Sequence, residues 1–394
     1  MRKCLTLCCL LACMATVRYG FAQTQPESVL TAQEIALIKS FGPWPVTAPQ
    51  DPGNELSGLL WAEQLGEKLF RDTDLSGNRS IACITCHLPA KGFADGLSVA
   101  VGAGTHVRNT QGLLNAGLQR WFGWDGGADS LWAASLRPIL SDIEMNADVE
   151  NVASLFRNKE YVARTLNQNA DISVLTDAGL ADAGLTNEEL VVLLAKAIGA
   201  YTRTIVSPQS EFDIFRSRLL AGDEIEPEHY SASAVRGLKI FLGDANCHVC
   251  HFGANFSNGE FHDVGRPFFT GVGQVDSGRH SGIKRVRDDR YNLLGDFNGS
   301  ANVHEARKTQ TVKLAQSNFG QWRTPTLRNL TLTAPYMHDG SLATLKDVVN
   351  YYSDIDPARL HSKGEAILKP LNLDEQSKTD LVRFLESLSP ANTH

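Results

Sequence analysis

The sequence predicts an all-α protein made of two small helical domains connected by long loops. Apolar residues recur every three or four positions at residues 190–205, 233–241, 345–352 and 374–388, as they do on one face of a helix. Strand-like alternation of apolar and polar residues is scarce. The sequence GEKLF at residues 66–70 is partly repeated as GLKIF at residues 237–241, which indicates two related domains.

Length and composition exclude several classes of protein. The chain has 394 residues, of which 43% are hydrophobic and 21% charged, so it can form two or three domains with cores of their own. This composition excludes a disordered or fibrous protein. The 44 acidic and 37 basic residues give a net charge of −7 and form no basic block, so we expect no nucleic-acid partner.

Residues 1–23 have the features of an export signal. Two basic residues precede a short apolar run, and small residues follow at Gly20 and Ala22. The run is too short to span a membrane, so we predict a cleaved signal peptide and a periplasmic protein without a membrane span. The alternative is cleavage before Cys13, which would leave a lipidated N-terminus. Loss of the signal would change the net charge from −7 to −10.

The predicted join between the two domains lies near residues 208–212. It places the N-terminal domain at residues 24–210 and the C-terminal domain at residues 211–394. The glycine-rich residues 253–273 and 276–303 are predicted to form long loops.

The cysteines carry the clearest chemical signal. Four of the eight lie in the predicted signal peptide, and the other four belong to two copies of the pattern C-x-x-C-H. The copies consist of Cys83, Cys86 and His87, and of Cys247, Cys250 and His251. This pattern is the attachment signature of c-type haem. Two thiols one helical turn apart can bond to both vinyl groups, and the adjacent histidine becomes an axial ligand of the iron.

A structural zinc site is the main alternative, because two C-x-x-C pairs can supply four thiolate ligands. The two pairs are 164 residues apart, however, and a histidine directly follows each pair. We therefore predict two covalently bound haem c groups, one in each domain.

Further stretches resemble the bacterial di-haem cytochrome c peroxidase family, and within it the MauG-like branch. The resemblance extends from about residue 55 to residue 390. Its most specific part is the run RTPTLRNLTLTAPYMHDG at residues 323–340. Residues 123–140 are also similar to the di-haem enzymes of methanobactin-type gene clusters, which oxidise a tryptophan of their partner. Besides the haem motifs, the other matching stretches are residues 92–96, 109–115, 124–126 and 144–145.

The resemblance implies that hydrogen peroxide reacts at the N-terminal haem, which is held by His87. The C-terminal haem, held by His251, would store and relay electrons. Glu144 takes the family's distal acid–base position, where a carboxylate can move a proton between the two oxygen atoms of peroxide. Trp124 corresponds to the tryptophan between the two haems. Without the resemblance, we would interpret Glu144 as a solvated acid and Trp124 as a core residue.

Three positions match a structural calcium site between the domains: Asn109, Thr333 and Pro335. One side-chain carbonyl and two backbone carbonyls, completed by water, suit this hard cation. The alternative for Asn109 is an ordinary turn residue. The resemblance further implies that His338 holds a propionate of the C-terminal haem and does not ligate iron.

The sequence departs from the family pattern near the N-terminal haem. Peroxidases of the family carry a removable distal histidine, but residues 102–104 are Gly-Ala-Gly here. The family's distal glutamine is replaced by Ala134. His106, which lies two residues beyond this segment, is a candidate to replace the missing histidine. Otherwise we expect a five-coordinate iron that reacts with peroxide without an activating step.

The C-terminal haem also departs from the pattern. Peroxidases supply a methionine as its sixth ligand, and this position falls on Tyr352. The mature chain has two methionines, Met145 and Met337, and Met337 is out of the family register. An anionic phenolate stabilises oxidised iron, so Tyr352 would make Fe(IV) accessible, as in MauG-like enzymes. Helix packing is the alternative role, and Tyr351 is adjacent.

Three functions are consistent with these residues. A MauG-like enzyme would use hydrogen peroxide to store two oxidising equivalents, and then oxidise a Trp or Tyr residue of a periplasmic partner protein. A peroxidase would instead take electrons from a small cytochrome or cupredoxin, and the third function is that of an electron carrier. Tyr352 and the missing distal histidine favour the first. MauG uses a surface tryptophan just before its second haem motif, where this chain has Ala245, and Trp322 is the candidate substitute.

Overall fold

The computed structural model describes residues 30–158, 160–162, 184–223, 230–298, 303–356, 365 and 367–390. In these ranges the chain is mostly helical and its strands are two or three residues long, so the predicted all-α class is confirmed. The predicted signal peptide and Cys13 lie outside the described residues. No described helix has the length and apolar character needed to cross a membrane.

Helices occur in both halves of the described chain. In chain order they are α1 (Ala32–Ser40), α2 (Leu60–Phe70), α3 (Cys83–Cys86), α4 (Leu131–Leu140), α5 (Val149–Arg157), α6 (Asn187–Arg203), α7 (Glu211–Ala221), α8 (Ala232–Leu242), α9 (Arg279–Asp288), α10 (Val303–Thr311), α11 (Leu345–Ser353) and α12 (Glu375–Glu386). The four helices predicted from periodicity are α6, α8, α11 and α12. Thr186 caps α6 and exchanges hydrogen bonds with Glu189, as expected of a capping box.

The strands form two small antiparallel sheets. β1 (Phe261–His262) pairs with β4 (Trp322–Arg323), and β2 (Phe269–Gly271) forms a hairpin with β3 (Gln274–Val275). The first sheet therefore pairs the loop after the second haem motif with the start of residues 323–340.

Two clusters of buried apolar residues form the core, one mainly from each half of the chain. In the first cluster, α2, α4 and α5 pack against α6. In the second, α8 and α11 pack against α12. Ile38 and Phe41, at the end of α1, are buried in the second cluster although they precede the first. The domain boundary at residues 210 and 211 remains a prediction, and α1 packs on residues beyond it.

The repeated sequence lies where helices cross. A Cβ on Gly66 would lie 2.0 Å from the backbone oxygen of Ala197 in α6, and one on Gly237 would lie 1.9 Å from that of Asp380 in α12. Only glycine allows backbones to approach so closely. The repeat therefore corresponds to two equivalent helix crossings.

The prediction of a loop at residues 276–303 is wrong in part, because this stretch contains α9. The helix has few apolar residues, but Ile283 and Val286 are buried. Gly282 lies against the backbone of Asp125, where a Cβ would be 2.0 Å from the carbonyl oxygen. Tertiary contacts with the N-terminal half, and not an apolar periodicity, thus account for this helix. In residues 253–273, only β1 and β2 interrupt the predicted loop.

Candidate haem sites

The first haem motif lines a cavity of about 810 Å³ in the N-terminal half. Helix α3 places Cys83 and Cys86 one turn apart on its wall. Nδ1 of His87 donates to the backbone oxygen of Phe93 at 2.8 Å, which leaves Nε2 free for iron in the neutral ring. Burial lowers the pKa of His87, which favours that neutral form.

The second haem motif lines another cavity in the same way. Nδ1 of His251 donates to the backbone oxygen of Phe256 at 3.0 Å, and burial lowers the pKa of His251 to about 4. Phe93 and Phe256 both have positive φ angles, of 61° and 49°. The two motifs therefore share a local structure in which a phenylalanine in the left-handed region orients the proximal histidine.

Buried cations in both cavities fit the carboxylates of haem. Arg323 lines the second cavity, makes no ion pair within the described part of the chain, and has its pKa lowered to about 10 by burial. Arg137 in the first cavity has a buried guanidinium nitrogen without a hydrogen-bond partner among the described residues. Arg266 in the second cavity also has one, although its guanidinium already pairs with Asp339 at 3.0 Å. A buried cation is costly unless an anion pairs with it, and for Arg323 and Arg137 a haem propionate would supply that anion.

Glu144 lines the first cavity together with His87. Its negative charge contributes to raising the pKa of Cys83 and Cys86 and opposes the lowering for His87, so its carboxylate lies close to the haem motif. The Gly-Ala-Gly segment packs directly against it: the amide of Ala103 donates to the backbone oxygen of Glu144 at 2.8 Å. Ala134 and His106 line the same cavity.

Trp124 lines both cavities and therefore lies between the two haem sites. Its indole Nε1 donates to the backbone oxygen of Asn109 at 2.9 Å, and its own backbone oxygen accepts from the amide of Arg323 at 2.9 Å. These bonds hold the ring between the two halves of the molecule.

Tyr352 lines the second cavity with His251, whereas the hydroxyl of Tyr351 donates to the backbone oxygen of Val264 at 2.6 Å. Burial raises the pKa of Tyr352, so a phenolate there requires a cation beside it. Met337 also lines this cavity. His338 stacks on Trp322 with ring centroids 3.6 Å apart, and burial lowers its pKa to about 4.

The three candidate calcium residues line the second cavity together. Asn109 donates its amide nitrogen to the backbone oxygen of Leu97 at 2.7 Å, which leaves its side-chain oxygen available. Within the described ranges, no hydrogen bond is made to the backbone oxygen of Thr333 or Pro335. These oxygen donors suit calcium, and the site remains a prediction.

Arg108 joins the two halves of the molecule, and the sequence gives no sign of this role. Its guanidinium contacts Asp276 at 2.6 and 2.7 Å and Asp125 at 2.7 Å, and all three side chains are buried. Nothing local in the sequence distinguishes these residues from surface charges. His262, which lines the second cavity and lies 3.0 Å from Glu365, was likewise not identified.

Comparisons with known proteins agree with two haem sites. Residues 62–222 match the family model described as di-haem cytochrome c peroxidase. The cytochrome-c peroxidase IdrP1 of Pseudomonas sp. strain SCT is 32% identical over 354 residues, which are 88% of this chain and 84% of that protein. The methylamine utilization protein MauG of Methylorubrum extorquens is 31% identical over 360 residues, covering 90% of this chain and 85% of that protein.

Two solved structures share the fold. One is a MauG-like protein associated with microbial copper homeostasis, with a TM-score of 0.62, 24% identity, and coverage of 89% of this chain and 95% of that one. The other is the di-haem peroxidase BthA of Burkholderia thailandensis, with a TM-score of 0.62, 20% identity and 89% coverage of each chain. At these identities the likeness concerns the fold alone.

Proposed function

The chain belongs to the di-haem cytochrome c peroxidase family of peroxide-dependent oxidoreductases, and we propose that it is a MauG-like member that oxidises a Trp or Tyr residue of a partner protein. When bound, the two haem c groups supply the reduction of hydrogen peroxide and the storage of oxidising equivalents. The observation that carries the proposal is the place of Tyr352 in the cavity of the second haem motif.

Tyr352 is proposed to be a ligand that, together with His251, would hold the iron of the C-terminal haem. Its neighbour Tyr351 is an unsuitable ligand because its hydroxyl is already bonded to the backbone of Val264. Burial opposes ionisation of Tyr352, whereas iron beside the phenol would favour it, because a bound metal is the largest local charge. An anionic oxygen ligand lowers the potential at which iron is further oxidised, which suits storage of oxidising equivalents.

Glu144 is proposed to take a proton from peroxide and return it to the departing oxygen. Its position in the cavity of His87 supports this role, since a general base must be within hydrogen-bond reach of the proton it takes. Trp124 is proposed to carry charge between the two haem sites, because its ring lines both cavities.

We also propose a calcium site, an export signal and two haem domains. Asn109, Thr333 and Pro335 would bind calcium between the two halves. Residues 1–23 would direct the chain to the periplasm, where the partner protein would be met. We propose residues 24–210 and 211–394 as the two haem domains, with α1 packed on the second.

A peroxidase that takes electrons from a small cytochrome or cupredoxin is the second candidate. Met337 favours it, because this residue lines the same cavity as His251 and a thioether is the ligand of a peroxidase. The two candidates therefore differ in the identity of one iron ligand.

Replacement of the two adjacent tyrosines separates the candidates. In the oxidised holoprotein, Tyr352→Phe is expected to change the low-spin signal of the C-terminal haem in electron paramagnetic resonance. Tyr351→Phe is the matched control, since its hydroxyl bonds to the backbone, and it is expected to leave that signal unchanged. A low-spin signal that survives in Tyr352→Phe but is lost in Met337→Leu would instead establish a thioether ligand and favour the peroxidase.

A further inference from the structure

The peroxide side of the N-terminal cavity lacks the polar side chains that the family places there. The Gly-Ala-Gly segment has no histidine, and Ala134 stands in place of the glutamine. Glu144, when ionised, accepts hydrogen bonds but donates none. A bound peroxide has oxygen lone pairs that need a donor, and Glu144 does not supply it.

His106 lies on the same side of this cavity as Glu144. The segment just before it is bonded to the backbone of residues 143 and 144, through the amides of Ala103 at 2.8 Å and Gly104 at 3.0 Å. Both His106 and Glu144 line the cavity, and the charge of Glu144 acts on the pKa of His106. The imidazole and the carboxylate therefore face one common space.

The backbone of Arg108 determines which ring nitrogen of His106 carries the proton. The amide of Arg108 donates to Nδ1 of His106 at 3.0 Å, so Nδ1 is unprotonated. A neutral ring then carries its proton on Nε2, which has no hydrogen-bond partner among the described residues. Burial is the main cause that lowers the pKa of His106, and it favours this neutral form.

The loop that carries His106 is held in place on both sides. The amide of His106 donates to the backbone oxygen of Ala100 at 2.9 Å, and the amide of Ala100 donates to that of Arg108 at 2.9 Å. The buried ion pairs of Arg108 with Asp125 and Asp276 anchor the end of the loop. The imidazole is thus positioned before peroxide arrives, which reduces the entropy lost on binding.

We propose that His106 is the hydrogen-bond donor that holds peroxide in this cavity, acting through Nε2–H and not as an iron ligand. A nitrogen that carries a proton has no lone pair for iron. The inference rests on the proposed function, because it assigns a residue to the peroxide site of that reaction. In this arrangement Nε2–H of His106 donates a hydrogen bond to peroxide, and Glu144 accepts a proton from peroxide.

Fluoride binding to the oxidised holoprotein tests the assignment without turnover. Fluoride is a small anion that binds high-spin haem iron and accepts a hydrogen bond from a distal donor. His106→Leu is expected to weaken fluoride binding roughly tenfold or more, since a hydrogen bond to a charged group is lost. His106→Gln keeps an N–H donor and is expected to retain part of the affinity. The high-spin signal is expected in the wild type and in both variants.

Two results would overturn the assignment. Fluoride affinity that is the same in His106→Leu and the wild type would mean that the imidazole donates nothing. A wild type without a high-spin signal, with one that appears only in His106→Leu, would mean that His106 is an iron ligand. Failure of the proposed function has a different signature: the wild type would bind fluoride normally but give no spectral change with stoichiometric hydrogen peroxide.

Discussion

At the scale of single residues, two tryptophans line the C-terminal haem cavity in different positions. Trp124 also lines the cavity of the first haem motif, whereas Trp322 is not among the described residues that line it. Trp322 stacks on His338 and is only 5% exposed, so it is a poor contact for a partner protein. These positions favour Trp124 as the residue that carries charge between the two haem sites.

Replacing each tryptophan by phenylalanine tests this difference. In Trp124→Phe, peroxide is expected to react at the His87 haem as in the wild type. The spectral change at the His251 haem should be slowed, because a phenyl ring between the two cavities is harder to oxidise than an indole. Trp322→Phe is the matched control and is expected to keep the wild-type rate. Stopped-flow absorption after mixing with hydrogen peroxide measures both. If the spectral change at the His251 haem is slowed equally in the two variants, Trp124 does not have a special role in carrying charge.

At the scale of elements, the paired glycines Gly66 and Gly237 allow two helix crossings that resemble each other. A Cβ on Gly66 would lie 2.0 Å from the backbone oxygen of Ala197, and a Cβ on Gly237 would lie 1.9 Å from that of Asp380. A backbone oxygen cannot rotate away as a side chain can. The helices would have to separate to accommodate even a methyl group, which would disturb the packing beside each haem motif.

Gly66→Ala and Gly237→Ala are therefore each expected to lower the free energy of unfolding by ~1–3 kcal/mol, the usual cost of overpacking a core. Gly271→Ala is the control, because the nearest atom to its Cβ would be the flexible side-chain end of Gln274 at 3.2 Å. Thermal unfolding followed by circular dichroism measures all three. Melting temperatures for the crossing variants equal to that of the control would contradict the structure at α2 and α8.

At the scale of the whole molecule, a buried ion-pair cluster joins the two halves. Arg108 lies between Asp125 from the same half and Asp276 from the other. Burial opposes ionisation of both carboxyls, but nearby cations outweigh it and lower the pKa of each. Arg108 is the main such cation for both carboxyls, and Arg285 and Arg137 also act on Asp125. Carboxyls with lowered pKa values stabilise the folded state above their ordinary pKa of about 3.9, and this contribution is lost as the pH falls further.

Replacement of Arg108 should therefore lower the free energy of unfolding most at neutral pH. Arg108→Gln leaves two buried carboxylates without their main partner, and we expect a loss of ~3–5 kcal/mol at pH 7. Arg71→Gln is the control, since its pair with Glu67 is about half exposed and contributes ~0–1 kcal/mol. Melting temperatures of wild type and variants at pH 7 and below pH 4 measure the effect. If the difference in melting temperature between the wild type and Arg108→Gln is as large below pH 4 as at pH 7, the ion pairs are not the source of this stability.

The amino-acid sequence by itself determined the features that depend on residues close together in the chain. These features are the two C-x-x-C-H motifs and the helices α6, α8, α11 and α12, which follow from spacings of a few residues. The resemblance to the family added Glu144, Trp124 and Tyr352 as candidates. The structure places each of them in a haem cavity.

Only the tertiary structure decided the features that join distant parts of the chain. Helix α9 forms from a polar sequence because it packs on the segment around Asp125. Arg108 is indistinguishable from a surface cation until Asp276, 168 residues away, is brought beside it. His106 is likewise brought to the cavity of Glu144 by backbone bonds between residues 103–104 and 143–144. The physical reason is that burial and long-range pairing give a charge or a donor its role, and neither is encoded in local spacing.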